Sequence, residues 1–286
     1  MRFLFMLPLL LLSISCGGQE MIPMKGKLVY TPGYRVFEFD FTTRKERRLV
    51  ETSSGGQSIS SVGTHRFLVG TELGAMSTVQ EFDANTLAFG AIVASGERPV
   101  YMPARRKLFY FHGHLYLADL DKPMQSAHKV AEGSFSYAHV IPVSDDEVVF
   151  PIRGDAGKTP PYRYNLITDK LEQLPFTRQC TPYVWRSVSR QLLCGIDGTS
   201  TYYLIGLDGQ RSVPLDLSRL PSKSPSPLLY IPKYDVLILG VARTRWIGSH
   251  AGEHWDLWAY SLKDGRSEKL LEDNAPGRGG IVWVEQ

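Results

Sequence analysis

The sequence predicts an all-β chain folded as a six-bladed β-propeller, with four antiparallel strands per blade and the ring closed by strands from its two ends. Three observations predict this. An alternating apolar and aromatic strand, followed by a small or acidic residue, a polar turn and a second strand, recurs six times. Between the copies lie strands that are apolar at consecutive positions, such as 108–111, 148–150 and 237–239, so that both of their faces must be covered. Each end of the chain holds half of the unit that every other repeat has complete.

The chain opens with Met1, Arg2, an apolar run over residues 3–12 and small residues leading to Cys16. This is the layout of a cleavable export signal, too short to span a bilayer. Residues 12–18, Leu-Ser-Ile-Ser-Cys-Gly-Gly, resemble the lipobox of bacterial lipoproteins. That resemblance implies a signal over 1–15, lipidation of Cys16, a tether over 16–24 and a single domain over 25–286. With Gly17 rather than Asp after the cysteine, it implies the periplasmic face of the outer membrane. Attachment then rests on the lipid, because no later apolar run reaches spanning length.

The six copies are centred on Asp40, Asp83, Asp119, Asn165, Gly206 and Ser261, with a mean step of about 44 residues, the span of a four-stranded blade. The intervening unit is a strand ending near Pro, a polar turn and an apolar strand, as in 98–111, 139–151, 182–195 and 227–240. A two-sheet sandwich would also cover such strands, but it has no reason to repeat at one period. Residues 26–30 form an apolar second strand without an inner partner, and residues 280–284 an inner strand without a follower. Together they complete one blade and remove the open edges.

This pattern resembles the TolB-like family of six-bladed propellers, across residues 25–286. In that family an inner strand, a Ser-Pro-Asp-Gly type turn, an apolar strand and a strand ending in Asp recur. The turns here read MPARRK, SVSRQ and IPKYD. The resemblance implies a role in envelope complexes, and a monomer is expected.

A net charge of +3 is spread along the chain, and its densest basic cluster, residues 44–48, falls in a predicted turn. Nucleic acid is therefore not the expected partner. An envelope protein or glycan is.

In such a disc, the loops between second and third strands and those between blades emerge on one face. Here that face gathers the longest connections: 70–78, 151–161, 215–225, 241–256 and 271–279. The richest is 241–256, with Arg245, Trp246, His250, Glu253, His254 and Trp255. His250 and His254 have the spacing of paired metal ligands on a helix, but Gly248 and Gly252 argue against a helix, which leaves a polar recognition loop. The tryptophans offer flat surfaces to a sugar or peptide, or pack the loop onto the disc. His112 and His114 flank Gly113 in a tight loop, as metal ligands or as solvated turn residues. Arg153 and Asp155 lie in a further loop of that face, and His139 on an inner strand.

Cys180 and Cys194 are expected directly opposite each other in a hairpin, as a structural disulfide or as two buried thiols. Nucleophile elbows, phosphate-binding glycine loops and sialidase-type Asp boxes are missing from the sequence, and no cofactor is expected. Two functions remain: a non-catalytic binding scaffold using the loop-rich face, or a hydrolase or lyase, with or without a metal, using scattered side chains in the central funnel. Carboxylate, Asn or His side chains converging on that funnel would favour the enzyme, and an apolar funnel would favour binding.

Overall fold

A computed structural model describes residues 21–52, 56–73, 76–133, 140–152, 160–177, 179–196, 201–210, 212–221, 225–247, 250–277 and 279–285. They form six four-stranded antiparallel sheets. From the axis outward, blade 1 contains β24 (Ile281–Val284), β1 (Lys27–Tyr30), β2 (Arg35–Asp40) and β3 (Lys45–Glu51). Blade 2 has β4 (Gly56–Ser61), β5 (Arg66–Leu73), β6 (Met76–Asp83) and β7 (Ala88–Ser95). Blade 3 has β8 (Glu97–Met102), β9 (Lys107–His112), β10 (His114–Asp119) and β11 (His128–Ala131), with the one-turn helix α1 (Pro123–Ser126) before the last. Blade 4 has β12 (Ile141–Pro142), β13 (Glu147–Phe150), β14 (Tyr162–Asn165) and β15 (Lys170–Gln173). Blade 5 has β16 (Thr181–Arg186), β17 (Gln191–Gly195), β18 (Tyr202–Gly206) and β19 (Ser212–Leu215). Blade 6 has β20 (Ser226–Ile231), β21 (Val236–Ile247), β22 (His250–Ser261) and β23 (Ser267–Leu271). Among the described residues, no helix is long and apolar enough to cross a membrane.

The two ends share blade 1, where β24 pairs with β1 from Lys27 opposite Val284 to Tyr30 opposite Ile281. The backbone N–H groups of Thr31 and Ile59 donate to the carbonyls of Gly280 and Gly279, tying the closing strand to β1 and to blade 2. The ring therefore has no open blade edge at its seam.

Consecutive apolar residues on the second strands are explained by six buried clusters, each shared by two neighbouring blades. On β9, Leu108 and Tyr110 pack with Leu68 and Val79 of blade 2, while Phe109 and Phe111 pack with Val148 and Phe150 of blade 4. On β1, Leu28 and Tyr30 face Ile238 and Leu257 of blade 6, and Val29 faces Phe67 of blade 2. Strand alternation thus sends successive side chains to opposite neighbours. Burying each of these large side chains fully contributes about 1.5–3 kcal/mol.

The recurring acidic or amide residue has a structural purpose. Asp40 Oδ1 accepts the backbone N–H groups of Thr42 and Thr43, Asp83 Oδ1 those of Asn85 and Thr86, and Asn165 Oδ1 those of Ile167 and Thr168. Each caps the turn between third and fourth strands as an Asx turn. In the same turns Arg44, Leu87 and Asp169 adopt positive φ without glycine. The basic cluster is only partly in the turn expected for it. Arg44 ends that turn, and residues 45–48 continue as β3, where the exposed rim strand tolerates charge.

Candidate functional site

The six inner strands leave a central channel of about 400 Å³. Its walls are Ile59, Val100, Val140, Ile141, Val184, Leu228, Leu229, Ile281 and Val282, with Tyr101, Tyr183, Trp185, Tyr230 and Trp283 among them. Polar side chains in the lining are Ser58, Ser60, Ser61 and Arg98; no Asp, Glu, Asn or His is found among the described lining residues. Within the described residues there is also no group of three or more His, Cys, Asp or Glu side chains able to hold a metal ion.

Two of the serines are committed to structure. Ser58 Oγ accepts the backbone N–H of Arg98 at 3.0 Å, and Ser60 Oγ that of Tyr101 at 2.9 Å, which joins β4 to β8 across the blade boundary. Inner strands bulge at matching places: the register shifts between Gly56 and Ser58, Glu97 and Val100, Pro182 and Val184, and Pro227 and Leu229. In blade 3 Arg98 and Pro99 stand opposite the single residue Tyr110, a net insertion of one residue as in the other three. Arg98 there has φ 54° directly before a proline, a conformation that costs energy for a side-chain-bearing residue. Its guanidinium Nε lies 3.9 Å from Glu97 Oε1.

One end of the disc is closed by short turns and bound by ion pairs between blades. Arg105 meets Asp146 from blade 3 to blade 4, and Arg186 meets Asp235 from blade 5 to blade 6. At the other end, two connections expected as loops are hairpins. Residues 70–78 extend β5 and β6 in register from Gly70 opposite Val79 to Leu73 opposite Met76. Residues 241–256 extend β21 and β22 from Val241 opposite Asp256 to Ile247 opposite His250. The sequence expectation of a recognition loop is corrected to a two-stranded ribbon. Residues such as Thr244, Trp246 and Trp255 suit extended backbone.

This register redistributes the candidate residues of 241–256. By alternation along the backbone, positions Arg243, Arg245, His250 and His254 fall on one face of the ribbon, and Trp246, Glu253 and Trp255 on the other. His250 and His254 thus share a strand face with Gly252 between them, about 13 Å apart along the strand rather than one helical turn, and Glu253 falls on the other face. The ribbon is braced at its base. Arg243 bridges Asp273 at 2.8 Å and the buried Asp256 at 3.4 Å, and the Asp273 backbone N–H donates to Asp256 Oδ1. The hydrogen bond to Asp273 holds the Arg243 guanidinium charged more firmly than usual.

His112 and His114 are register partners across Gly113, whose φ of 68° makes the tight turn. His112 is exposed and His114 half-buried, with its Nδ1 lacking a hydrogen-bond partner among the described residues. Glu132 is drawn below the usual carboxylate range by a hydrogen bond from Lys129, with a smaller contribution from His114. Cys16, His139, Arg153 and Asp155 lie outside the described residues. Arg98, Ser58, Trp185 and Trp283 were not singled out from sequence; inner-strand positions are identifiable only once the second strands fix the register.

Cys180 and Cys194 are joined by a disulfide with Cα atoms 5.0 Å apart. They are not directly opposite, however. Cys194 pairs with Pro182, and Cys180 lies just before β16, because the hairpin turns over residues 187–190 and pairs Arg186 with Gln191.

No protein family's sequence profile matches the chain, and no curated protein matches it in sequence. Solved structures do match in shape. The likeness is one of fold. TolB from Acinetobacter baumannii superposes with a TM-score of 0.66 at 14% identity, over 93% of this chain and 68% of that one. A structure titled Nidogen/Laminin Complex gives 0.67 at 8% identity, over 90% and 98%. A putative TolB from Agrobacterium tumefaciens gives 0.59 at 10% identity, over 92% and 98%. The fold of these structures is therefore shared across nearly the whole of this chain.

Proposed function

We propose that this protein is a non-catalytic binding scaffold of the bacterial envelope, exported by residues 1–15 and anchored through lipid on Cys16. Its disc, over 25–286, presents the end bearing the β5–β6 and β21–β22 ribbons to a protein partner. The periplasmic face of the outer membrane is the location that Gly17 argues for. The channel lining carries the reading: hydrolysis needs positioned acids, bases or metal ligands, and the described lining residues offer aliphatic and aromatic walls, hydroxyls and one guanidinium. The unequal ends of the disc support it further, since ion pairs bind one end to itself while the ribbons rise from the other. One fold neighbour is titled as a complex of two proteins, which is support by analogy of fold.

The test is affinity capture from membranes with the wild-type chain and with a variant whose ribbon is shortened to a two-residue turn beyond Ala242 and Trp255. The reading expects one envelope protein bound by the wild type and lost from the variant. Equal recovery by both, or recovery of a glycan and no protein, would overturn it.

A further inference from the structure

The segment ahead of β1 is fixed to the end of the disc that short turns close. The Ile22 backbone N–H donates to Glu268 Oε2 at 2.7 Å, and the Ile22 carbonyl accepts from Arg44 Nη2 at 3.1 Å. The Lys25 backbone N–H donates to the Tyr234 hydroxyl, which donates to the Lys25 carbonyl, both at 3.0 Å. Ile22 and Met24 are buried at the seam of blades 6 and 1, in one cluster with Phe41 and Trp283. Arg44 and Tyr234 stand in the turns before β3 and β21, so the segment meets the disc at the short-turn end and not at the ribbons. Cys16 and Ile22 are six residues apart, a reach of roughly 20 Å when fully extended. β21 runs from that same end to the tip of its ribbon over 12 residues, roughly 40 Å. A lipid on Cys16 therefore holds the short-turn end at the membrane and leaves the ribbon tip out of reach of it.

The exposed apolar side chains point to the same end. Among the described residues, Met21, Leu87, Met124, Ile167 and Val188 are exposed there, one from the tether at the seam and one from a short connection of each of blades 2, 3, 4 and 5. Tyr34 and Met76 are exposed at the ribbon end, and Ile92, Leu171 and Val213 on the outer strands. A protein partner reads a contiguous apolar patch, whereas single apolar tips spread around one end of a disc suit a flat and continuous layer.

We propose that the short-turn end is a membrane-binding surface. It rests on the lipid leaflet that holds the anchor, with Leu87, Met124, Ile167 and Val188 inserted at headgroup level and the ribbons directed away from that leaflet. This rests on the proposed lipid at Cys16 and deepens that reading, because it fixes which end of the disc the membrane takes and which end is left to a partner.

The test uses the lipidated protein made from the full-length chain, in vesicles of phosphatidylethanolamine and phosphatidylglycerol that carry a nitroxide quencher at headgroup level. With Cys180 and Cys194 bonded to each other and Cys16 acylated, Met124→Cys, Ile167→Cys or Val188→Cys supplies the one thiol for an environment-sensitive dye. Met76→Cys and Val213→Cys report the ribbon end and the rim in the same way. The proposal expects blue-shifted emission and its loss to the quencher at the three short-turn positions, and emission at Met76 and Val213 equal to that in quencher-free vesicles. In a chain that carries lipid and floats with the vesicles, quenching at Met76 or Val213 that matches Val188, or none at any position, would overturn this proposal alone. A wild-type chain that incorporates no labelled fatty acid would overturn the lipid reading and this inference with it.

Discussion

Arg186 at the end of β16 clasps Asp235 of the next blade with two hydrogen bonds, Nε to Oδ1 at 2.9 Å and Nη2 to Oδ2 at 2.5 Å. The Tyr230 hydroxyl donates to the same carboxylate at 2.9 Å. These contacts hold Asp235 below the usual carboxylate range, the Arg186 hydrogen bond contributing most. Asp235 also carries the positive φ of its turn, 52°, which Asn tolerates as well as Asp.

Asp235→Asn should therefore keep the turn and lose the charge, costing about 2 kcal/mol at neutral pH. A carboxylate whose folded pKa is depressed contributes stability above its unfolded value, near 3.9, and loses it as pH falls through the folded value. Denaturant midpoints of wild type and variant should converge below about pH 4. A gap that stays constant from pH 7 to pH 3 would contradict this account of the clasp.

A second contact crosses blades 2 and 3. A Cβ at Gly70 would lie 2.4 Å from Ser58 Oγ and 3.1 Å from the Arg98 backbone nitrogen. Gly70→Ala should cost about 1–3 kcal/mol by overpacking. Ser58→Ala should cost a similar amount, about 1–3 kcal/mol, by orphaning the Arg98 N–H. Because both changes act through one oxygen, the double variant should be less destabilised than their sum, as read from urea unfolding. Strict additivity would show that the three residues do not share a contact.

Ring closure makes its own prediction. Removing residues 280–286 takes β24 from β1 and uncovers Leu28 and Tyr30, which are fully buried in the seam. The truncated chain should lose its cooperative thermal transition and scatter light on storage, since β1 becomes an open edge. An unchanged transition would mean that the last strand is dispensable to the ring.

The Cys180–Cys194 bond closes a loop with a sequence separation of 14. Cys194→Ser should lower stability by about 3 kcal/mol, measured by chemical denaturation. Alkylation of the denatured, unreduced protein should leave both positions unmodified. Labelling of both would contradict a native disulfide.

The repeat was legible because its causes are local. Asp40, Asp83 and Asn165 each cap a turn within three residues, and alternation along strands such as β9 is visible in the order of residues. The seam was legible as two incomplete halves. The ribbon over 241–256 was not, because two glycines and a mixed polar composition read as a loop, whereas its pairing depends on the rigid hairpin below it. The cysteine register was displaced because the hairpin turns over residues 187–190, with Arg186 opposite Gln191, and the bulge between Pro182 and Val184 recovers only one residue of the offset. Arg98 was invisible because its strained backbone lies where β8 meets β4, across a blade boundary.

The central claim is that the ribbon-bearing end of the disc engages a partner while the stapled end does not. A photo-crosslinking residue placed at Trp246 on the ribbon and, in a separate chain, at Ser189 in the short turn before β17 compares the two ends in intact cells. The account predicts a single adduct from Trp246 and none from Ser189. Adducts from Ser189 alone, equal adducts from both, or none from either would contradict it.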